Sequence, residues 1–333
     1  MSEQASFDPQ GTPGTPHRLS DLADGERVSG VFAVRERERR TKKNGEPWLR
    51  LIVSNRTGSI EAISWDEAEA RHAIAEPGTA VQIEGRCEVH ERFGRKIVIE
   101  AIRPAAEGEY DPAELIPCSE VPIERLEADL RELLATIQSP PLRELLARFF
   151  GEGSPIWQRF REAPAAKYYH QAYRHGLLEH TLSVAQGVSA AAAYFPGIDR
   201  DVAISGALLH DIGKIEAYND DPMAIDLTDT GKLEGEIPRG YYMVRRAIEA
   251  IDGFPPAIGQ AVLHIVLSHH GALEHGSPVV PATREAILVH MIDHLGGKLG
   301  SFDRIERELP EGETWSRKDQ GIGGPAFFGS RAA

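Results

Sequence analysis

Cysteine, long apolar runs and net positive charge are all scarce in this chain, and each shortage closes off a class of protein. Only two cysteines occur in 333 residues, Cys87 and Cys118, without CxxC spacing. Neither a disulfide framework nor a cysteine-built zinc knuckle is indicated, and a reducing cytoplasm is the expected setting. No stretch approaches the roughly 18 consecutive apolar residues of a membrane span. The first sixteen residues are polar, with Gly and Pro, and lack a basic-then-apolar leader pattern, so no membrane association is expected. A formal charge of −14 argues against general coating of nucleic acid, because phosphate binding needs clustered Lys and Arg. What positive charge there is, however, is concentrated. Residues 27–50 carry eight Arg or Lys against three Glu, so that stretch stands at about +5 and the rest of the chain near −19, and one face of the N-terminal region is suited to a polyanion.

The length and a 41% apolar content allow two domains with full cores. Residues 1–19 read as a disordered tail. From there to residue 103 the period is that of β-structure: Val28–Val34, Trp48–Val53, Gly58–Trp65, Ala80–Val89 and Lys96–Ile102 are separated by turn signals at Asn55–Gly58, Pro77-Gly78 and Phe93-Gly94. A short helical stretch, Asp66–Ala75, falls between the third and fourth strands. Five strands with a helix at that position is the order of an OB-fold β-barrel; a small β-sandwich is the alternative. Residues 104–122, with four prolines and five acidic residues, read as a linker.

Beyond the linker the period changes. Leu126, Leu130, Leu133, Leu134 and Ile137 form one stripe of an amphipathic helix. Further helices are expected at 142–150, 175–194, 200–211, 239–251, 256–270 and 283–299, with 216–238 as a long loop near residue 211. The expected fold class is therefore multidomain α+β: the barrel, then an all-α bundle over 123–300, with 301–333 as a weakly ordered C-terminal tail.

The chemistry concentrates in the helical half. The run Ala207–Lys214 ends an apolar helix in His210-Asp211, two adjacent metal-ligand side chains, followed by Gly213-Lys214. A neighbouring imidazole and carboxylate hold a cation only if distant segments supply further donors. His180 shares an apolar helical stripe with Val184 and Val188, and Asp293 lies on a face with Ala286, Val289 and His290. A carboxylate on such a face is costly unless it is paired or coordinated; an ion pair with Arg or Lys is the plainer explanation. His269 and His270 both reach one site only if their helix ends there, and Gly271 supplies that end. Lys214 is suited to placing a point charge on a phosphate oxygen.

His180, His210-Asp211, His269-His270 and Asp293, in that order on predicted helices, resemble the HD superfamily of metal-dependent phosphohydrolases. Residues 169–181 (YHQAYRHGLLEHT), 209–214 (LHDIGK) and 267–271 (LSHHG), behind an OB-like domain, are more closely similar to the YhaM family of bacterial 3′-to-5′ exoribonucleases, over roughly residues 20–300. The resemblance implies a first ion held by His180, His210, Asp211 and Asp293, and a second held by His269 and His270 with Asp211 as bridge. This chain departs from the family pattern at His175, where the family has glycine, at Gln171, where it has histidine, and at Glu236, where a second-site histidine is expected. Glu236 still offers a hard oxygen donor, which favours Mn²⁺ or Mg²⁺. The implied cofactor is a divalent metal, Mn²⁺ first with Mg²⁺ or Fe²⁺ as alternatives, as one or two ions. Asp211 and Lys214 are the catalytic candidates. The implied reaction is hydrolysis of single-stranded RNA, and as a second candidate single-stranded DNA, to nucleoside 5′-monophosphates.

OB barrels stack bases on aromatics while basic loops follow the backbone. Phe32, Trp48, Trp65 and Phe93 are the stacking candidates, and Arg39, Arg40, Lys42 and Lys43, placed between the first two strands, the phosphate contacts. Two other functions compete: an HD-type hydrolase of nucleotides or cyclic dinucleotides, and a non-catalytic RNA-binding protein whose metal site has decayed. A homo-oligomer is compatible with all three.

Overall fold

The alternation of apolar and charged residues in the first half produces long, curved strands. The computed structural model describes residues 18–90, 94–119, 121–167, 171–309 and 312–329. In it β1 (Arg27–Thr41), β2 (Pro47–Asn55), β3 (Gly58–Ser64), β4 (Ala80–His90) and β5 (Gly94–Pro104) close a barrel in the order β1-β2-β3-β5-β4, with α1 (Ala68–Ile74) between β3 and β4. This is the OB topology. β1 closes it by pairing twice: its first half runs against β4 (Val28 opposite Gly85) and its second against β2 (Arg40 opposite Trp48). Alternate residues such as Leu49, Leu51, Val53, Ile83, Cys87 and Ile97 fill the interior. The charged residues between them form a ladder outside, in which Arg50 meets Glu61 at 2.6 Å and Glu38 at 3.8 Å. That ladder is why β1 continues through Arg35–Arg40 where the sequence suggested a loop. Only Lys42 and Lys43 stand at the turn, which Lys42 closes with Glu46.

The barrel unit also extends past its expected ends. Leu19 and Leu22 are in its core. Within the expected linker, Asp111 caps α2 (Pro112–Leu115), Leu115 is buried, and Ser54 donates a hydrogen bond to the Leu115 carbonyl. The barrel unit runs to Cys118 and includes Asp221–Ile225, and the second unit comprises Ser119–Asp220 and the chain from Asp226 onward.

The second unit is helical: α3 (Ile123–Ala135), α4 (Pro140–Phe150), α5 (Trp157–Glu162), α6 (Gly176–Ala192), α7 (Arg200–Leu209), α8 (Lys214–Ala217), α9 (Asp229–Leu233), α10 (Glu236–Glu249), α11 (Pro256–Ser268) and α12 (Arg284–Glu308). Asp199 caps α7 and Thr283 caps α12 through side-chain acceptors. Leu177, Leu178, Val184, Ala207, Leu208, Val262, Val266 and Val289 of α6, α7, α11 and α12 meet in one core. The helices that carry or adjoin His180, His210-Asp211, His269-His270 and Asp293 thus share one core, to which α3, α4, α5 and α10 also contribute.

Several stretches differ from the sequence expectation, which did not include α5. The region 216–238 holds α8, α9 and a Tyr218–Leu227 bridge in place of a long loop. α10 starts at Glu236, and α12 runs eight residues past the expected domain end at 300. Residues 312–329 fold back on α12 through scattered contacts: Lys298 donates to the Gly321 carbonyl at 2.7 Å, Arg304 pairs with Asp319 at 2.8 Å, and the Phe302 and Phe328 ring centroids are 6.1 Å apart. Such contacts leave no hydrophobic period to read. Among the described residues no helix is long and apolar enough to cross a membrane.

Candidate metal centre

α6 and α7 bring the Nε2 atoms of His180 and His210 to 3.3 Å from one another, with the ring planes tilted by 55°. Asp211, just past the end of α7, puts Oδ2 at 3.2 Å from His180 Nε2 and 3.3 Å from His210 Nε2. From α12, Asp293 Oδ1 lies 3.2 Å from His180 Nε2 and 3.9 Å from His210 Nε2. Lys214 donates to Asp211 Oδ2 at 2.7 Å.

The imidazoles are oriented by their other nitrogens. His210 Nδ1 is 2.6 Å from the Ala207 carbonyl and His269 Nδ1 is 2.8 Å from that of Val266, in each case three residues back in the chain. A carbonyl only accepts, so Nδ1 carries the proton and Nε2 keeps its lone pair for the site. His270 repeats the arrangement with the His275 carbonyl at 2.8 Å. His290 Nδ1 reaches the His269 carbonyl, also at 2.8 Å.

The donor set fits a divalent cation. Cis donors each roughly 2.1 Å from an octahedral ion stand about 3 Å apart, close to the spacing found here. Among the described residues, donor atoms of His180, His210 and Asp211 all lie within 4.8 Å of one another, and all three residues are buried. Among the described residues, the buried side-chain atoms left without a hydrogen-bond partner include two of this site, Asp211 Oδ1 and His269 Nε2, which lie 3.5 Å apart. Orphaned polar atoms at such depth are costly, and a cation satisfies both. Imidazole nitrogen mixed with carboxylate oxygen suits Mn²⁺, Fe²⁺ or Zn²⁺.

Electrostatics agree with the geometry. Burial works against a charged His180, but the Asp211 and Asp293 carboxylates outweigh it and raise its pKa to about 9. Burial likewise opposes ionisation of Asp211, yet Lys214, His210 and His180 hold its carboxyl well below the usual range; Asp293 is held down chiefly by His180 and His210. Asp211 raises the Lys214 ammonium against its own burial penalty. In the metal-free chain, then, protons and an ammonium occupy the field that a cation would fill.

The second group is looser. His269 and His270 sit where α11 ends, and the left-handed Gly271 (φ 82°) turns the chain away. His270 Nε2 is 3.9 Å from Glu236 Oε1, and both side chains are partly exposed. Glu236 gets there because Gly213 lacks a side chain: a Cβ on Gly213 would lie 2.0 Å from the Glu236 carbonyl and 2.5 Å from Gly240 N. Asp211 offers Oδ2 to the first group and Oδ1 to His269, the disposition a bridging carboxylate needs. Next to both groups, His269, His270, His275, His290, Asp293 and His294 line a cleft of about 360 Å³. The i, i+4 spacing of His290 and His294 on either side of Asp293 was a sequence signal for that cleft, and sequence reasoning passed over it.

On the barrel, Trp48 and Trp65 have ring centroids 5.0 Å apart. Arg40 lies 5.7 Å over Trp48, and Lys42 and Lys96 each lie 5.8 Å over Trp65. Trp65 is 40% exposed. Lys43 is exposed, and Arg39 pairs with Glu69 at 2.5 Å. Phe32, expected on the binding face, is corrected: it is 2% exposed inside the barrel, because its position in the β1 alternation points to the core. Phe93, like His170 of the resembling motif, lies outside the described residues. Lys96 was missed, since only the parallel β3–β5 pairing across the barrel brings it to Trp65.

The His, His-Asp and Asp donors brought together by α6, α7 and α12 define the class as an HD domain, and the family model described as HD domain matches residues 177–296. The chain is 30% identical to the 3′-5′ exoribonuclease YhaM of Geobacillus sp. (strain WCH70), over 88% of this chain and 89% of that one. It is 31% identical to the protein of that name from Shouchella clausii, over 88% and 90%. The chain belongs to the YhaM family. Among solved structures, the second OB-fold domain of replication protein A from Methanococcus maripaludis aligns at 18% identity, covering 28% of this chain and 98% of that one, with a TM-score of 0.23.

Proposed function

We propose that the chain is a divalent-metal-dependent 3′-5′ exoribonuclease that shortens single-stranded RNA to nucleoside 5′-monophosphates. The observation that carries this reading is the convergence of the buried His180, His210 and Asp211 with Asp293, beside the two orphaned atoms Asp211 Oδ1 and His269 Nε2, in a chain whose curated relatives bear that activity in their names. His180, His210, Asp211 and Asp293 hold the first ion, and His269, His270 and Glu236 hold the second, with Asp211 between them. Mn²⁺ is the preferred metal, because the set mixes imidazole with hard carboxylate oxygens. A bound divalent cation supplies Lewis-acid activation of water and neutralises phosphoryl charge.

The protein's own part is positional and electrostatic. The carbonyls of Ala207 and Val266 keep His210 and His269 in one tautomer. Lys214, held on Asp211, brings a positive charge to the place where the phosphoryl oxygens gain negative charge. The cleft lined by His270, His290 and His294 receives the terminal nucleotide. On the barrel, Trp48 and Trp65 stack bases while Arg40, Lys42, Lys43 and Lys96 meet phosphates, and Arg39 joins them when it leaves Glu69. This adds affinity for longer strands.

The test incubates metal-depleted full-length protein with 5′-labelled single-stranded RNA, with and without Mn²⁺. Stepwise loss from the 3′ end, nucleoside 5′-monophosphate as product and dependence on added metal are expected, and a DNA strand of the same sequence serves as competing substrate. Intact RNA alongside rapid hydrolysis of nucleoside triphosphates or cyclic dinucleotides would overturn the reading.

A further inference from the structure

Of the three imidazoles that face Asp211, His210 and His269 hydrogen-bond through Nδ1 to carbonyls of the chain that carries them, whereas His180 Nδ1 lies 3.1 Å from the side-chain Oε1 of Gln171. We infer that Gln171 is a positioning residue for metal binding, one that fixes the tautomer and tilt of His180 without touching the ion. The inference rests on the proposed metal site and goes beyond it. It gives a role to a residue that stands out in the sequence only as a departure from the family pattern.

The backbone is built to deliver this side chain. Gln171 has φ 61°, in the left-handed region that non-glycine residues seldom occupy. Such conformations persist where the surroundings over-determine them, and they gather at functional sites. Two contacts do so here. The Gln171 carbonyl accepts a hydrogen bond from Ala165 N at 3.1 Å, and it lies against Gly176 so closely that a Cβ there would stand 2.0 Å from the carbonyl oxygen. Gly176 opens α6, and His180 is one turn further along the same helix face. A loop pressed onto Gly176 therefore lowers its side chain onto the imidazole four residues on. His175, at φ 69°, holds the other end of the loop: its Nδ1 is 2.7 Å from the Arg161 carbonyl.

The chemistry follows from the acceptor. An amide oxygen takes the Nδ1 proton of His180 and leaves Nε2 to face Asp211 and Asp293. Unlike a histidine at position 171, the amide does not titrate, and unlike a carboxylate it adds no charge. Partners of this kind set ligand orientation and basicity, and their removal typically weakens metal affinity about 10–100-fold.

The test compares full-length wild type, Gln171→Leu and Gln171→Glu by calorimetric titration with Mn²⁺. It adds ¹⁵N NMR of the histidines in the Mg²⁺-loaded state and thermal unfolding of the metal-free proteins. Gln171→Leu is expected to raise the Kd about 10–100-fold and to lose the protected His180 Nδ1–H signal. Gln171→Glu, which restores an acceptor, is expected to return affinity to wild type or tighter, with both variants unfolding near the wild-type temperature. A wild-type Kd in Gln171→Leu, or an equal loss in Gln171→Glu, would overturn the assignment of Gln171 while leaving the metal site standing. Absence of Mn²⁺ binding by wild type would overturn both.

Discussion

The helical site and the barrel face handle charge in opposite ways. At the site, His180, His210 and Asp211 are withdrawn from water, each is held by several partners, and atoms remain unsatisfied. On the barrel, Arg40, Lys42 and Lys96 stay at the surface, each beside a carboxylate and a tryptophan ring. Buried charges interact strongly and fail together when one is removed. Solvated ones are screened and contribute separately. Chemistry that needs a fixed cation suits the first region, and a tolerant grip on a flexible polyanion suits the second.

The sharpest break in that contrast comes from Asp211→Asn. It removes the carboxylate shared by both donor groups, so Mn²⁺ binding should disappear and RNA hydrolysis fall by at least about 10²–10³-fold, with circular dichroism unchanged. Hydrolysis at the wild-type rate would remove Asp211 from the site. His270→Ala and Glu236→Gln touch only the looser group, so an intermediate loss of about 10–100-fold is expected, with one class of Mn²⁺ site retained in titration. If either variant matched Asp211→Asn, the division into a tight and a loose group would be wrong.

Barrel substitutions should give smaller effects that depend on substrate length. Trp65→Ala should cost about 1–3 kcal/mol in binding a long single strand and leave dinucleotide turnover unchanged; equal losses on both substrates would tie Trp65 to the chemistry. Exchanging Arg40, Lys42, Lys43 and Lys96 for Gln should weaken binding and flatten the log K against log salt slope by about 0.7 for each phosphate that is no longer neutralised. An unchanged slope would rule these cations out as partners of the phosphates.

The smallest effect concerns pH in the metal-free protein. The pKa of His180 in the folded chain, about 9, lies above its ordinary value of 6.5. Its contribution to stability is therefore complete below pH 6.5 and is lost as pH rises through about 9. Asp211 and Asp293 are shifted down, so their contribution is present above the ordinary value of 3.8 and is lost only as pH falls through their lowered values. The urea midpoint of wild type should drop between neutral pH and pH 9, and that of His180→Asn should drop less. Parallel curves would mean that His180 is not held by the two carboxylates.

Sequence alone reached furthest where a helical period carries the information. His180, His210, Asp211 and Asp293 each end or share an apolar stripe, and the family resemblance is what grouped them as one ligand set. The barrel order was equally readable from five alternating runs. Gln171 was not, because its role depends on a left-handed loop with no period, and Lys96 depends on a strand pairing that spans the barrel. Glu236 fell between: its residue type was noticed, but the close approach permitted by Gly213 is a backbone fact. Phe32 was misread because an aromatic in an alternating strand fits either face until the register is known.

The most direct test of the central claim is a crystal structure of the full chain soaked in Mn²⁺, with anomalous scattering used to locate the ions. One peak should be coordinated by His180, His210, Asp211 and Asp293, and a second should lie between Asp211 Oδ1, His269, His270 and Glu236. A crystal with no peak at His180, His210, Asp211 and Asp293, and with His180 still hydrogen-bonded to Asp211, would contradict the account.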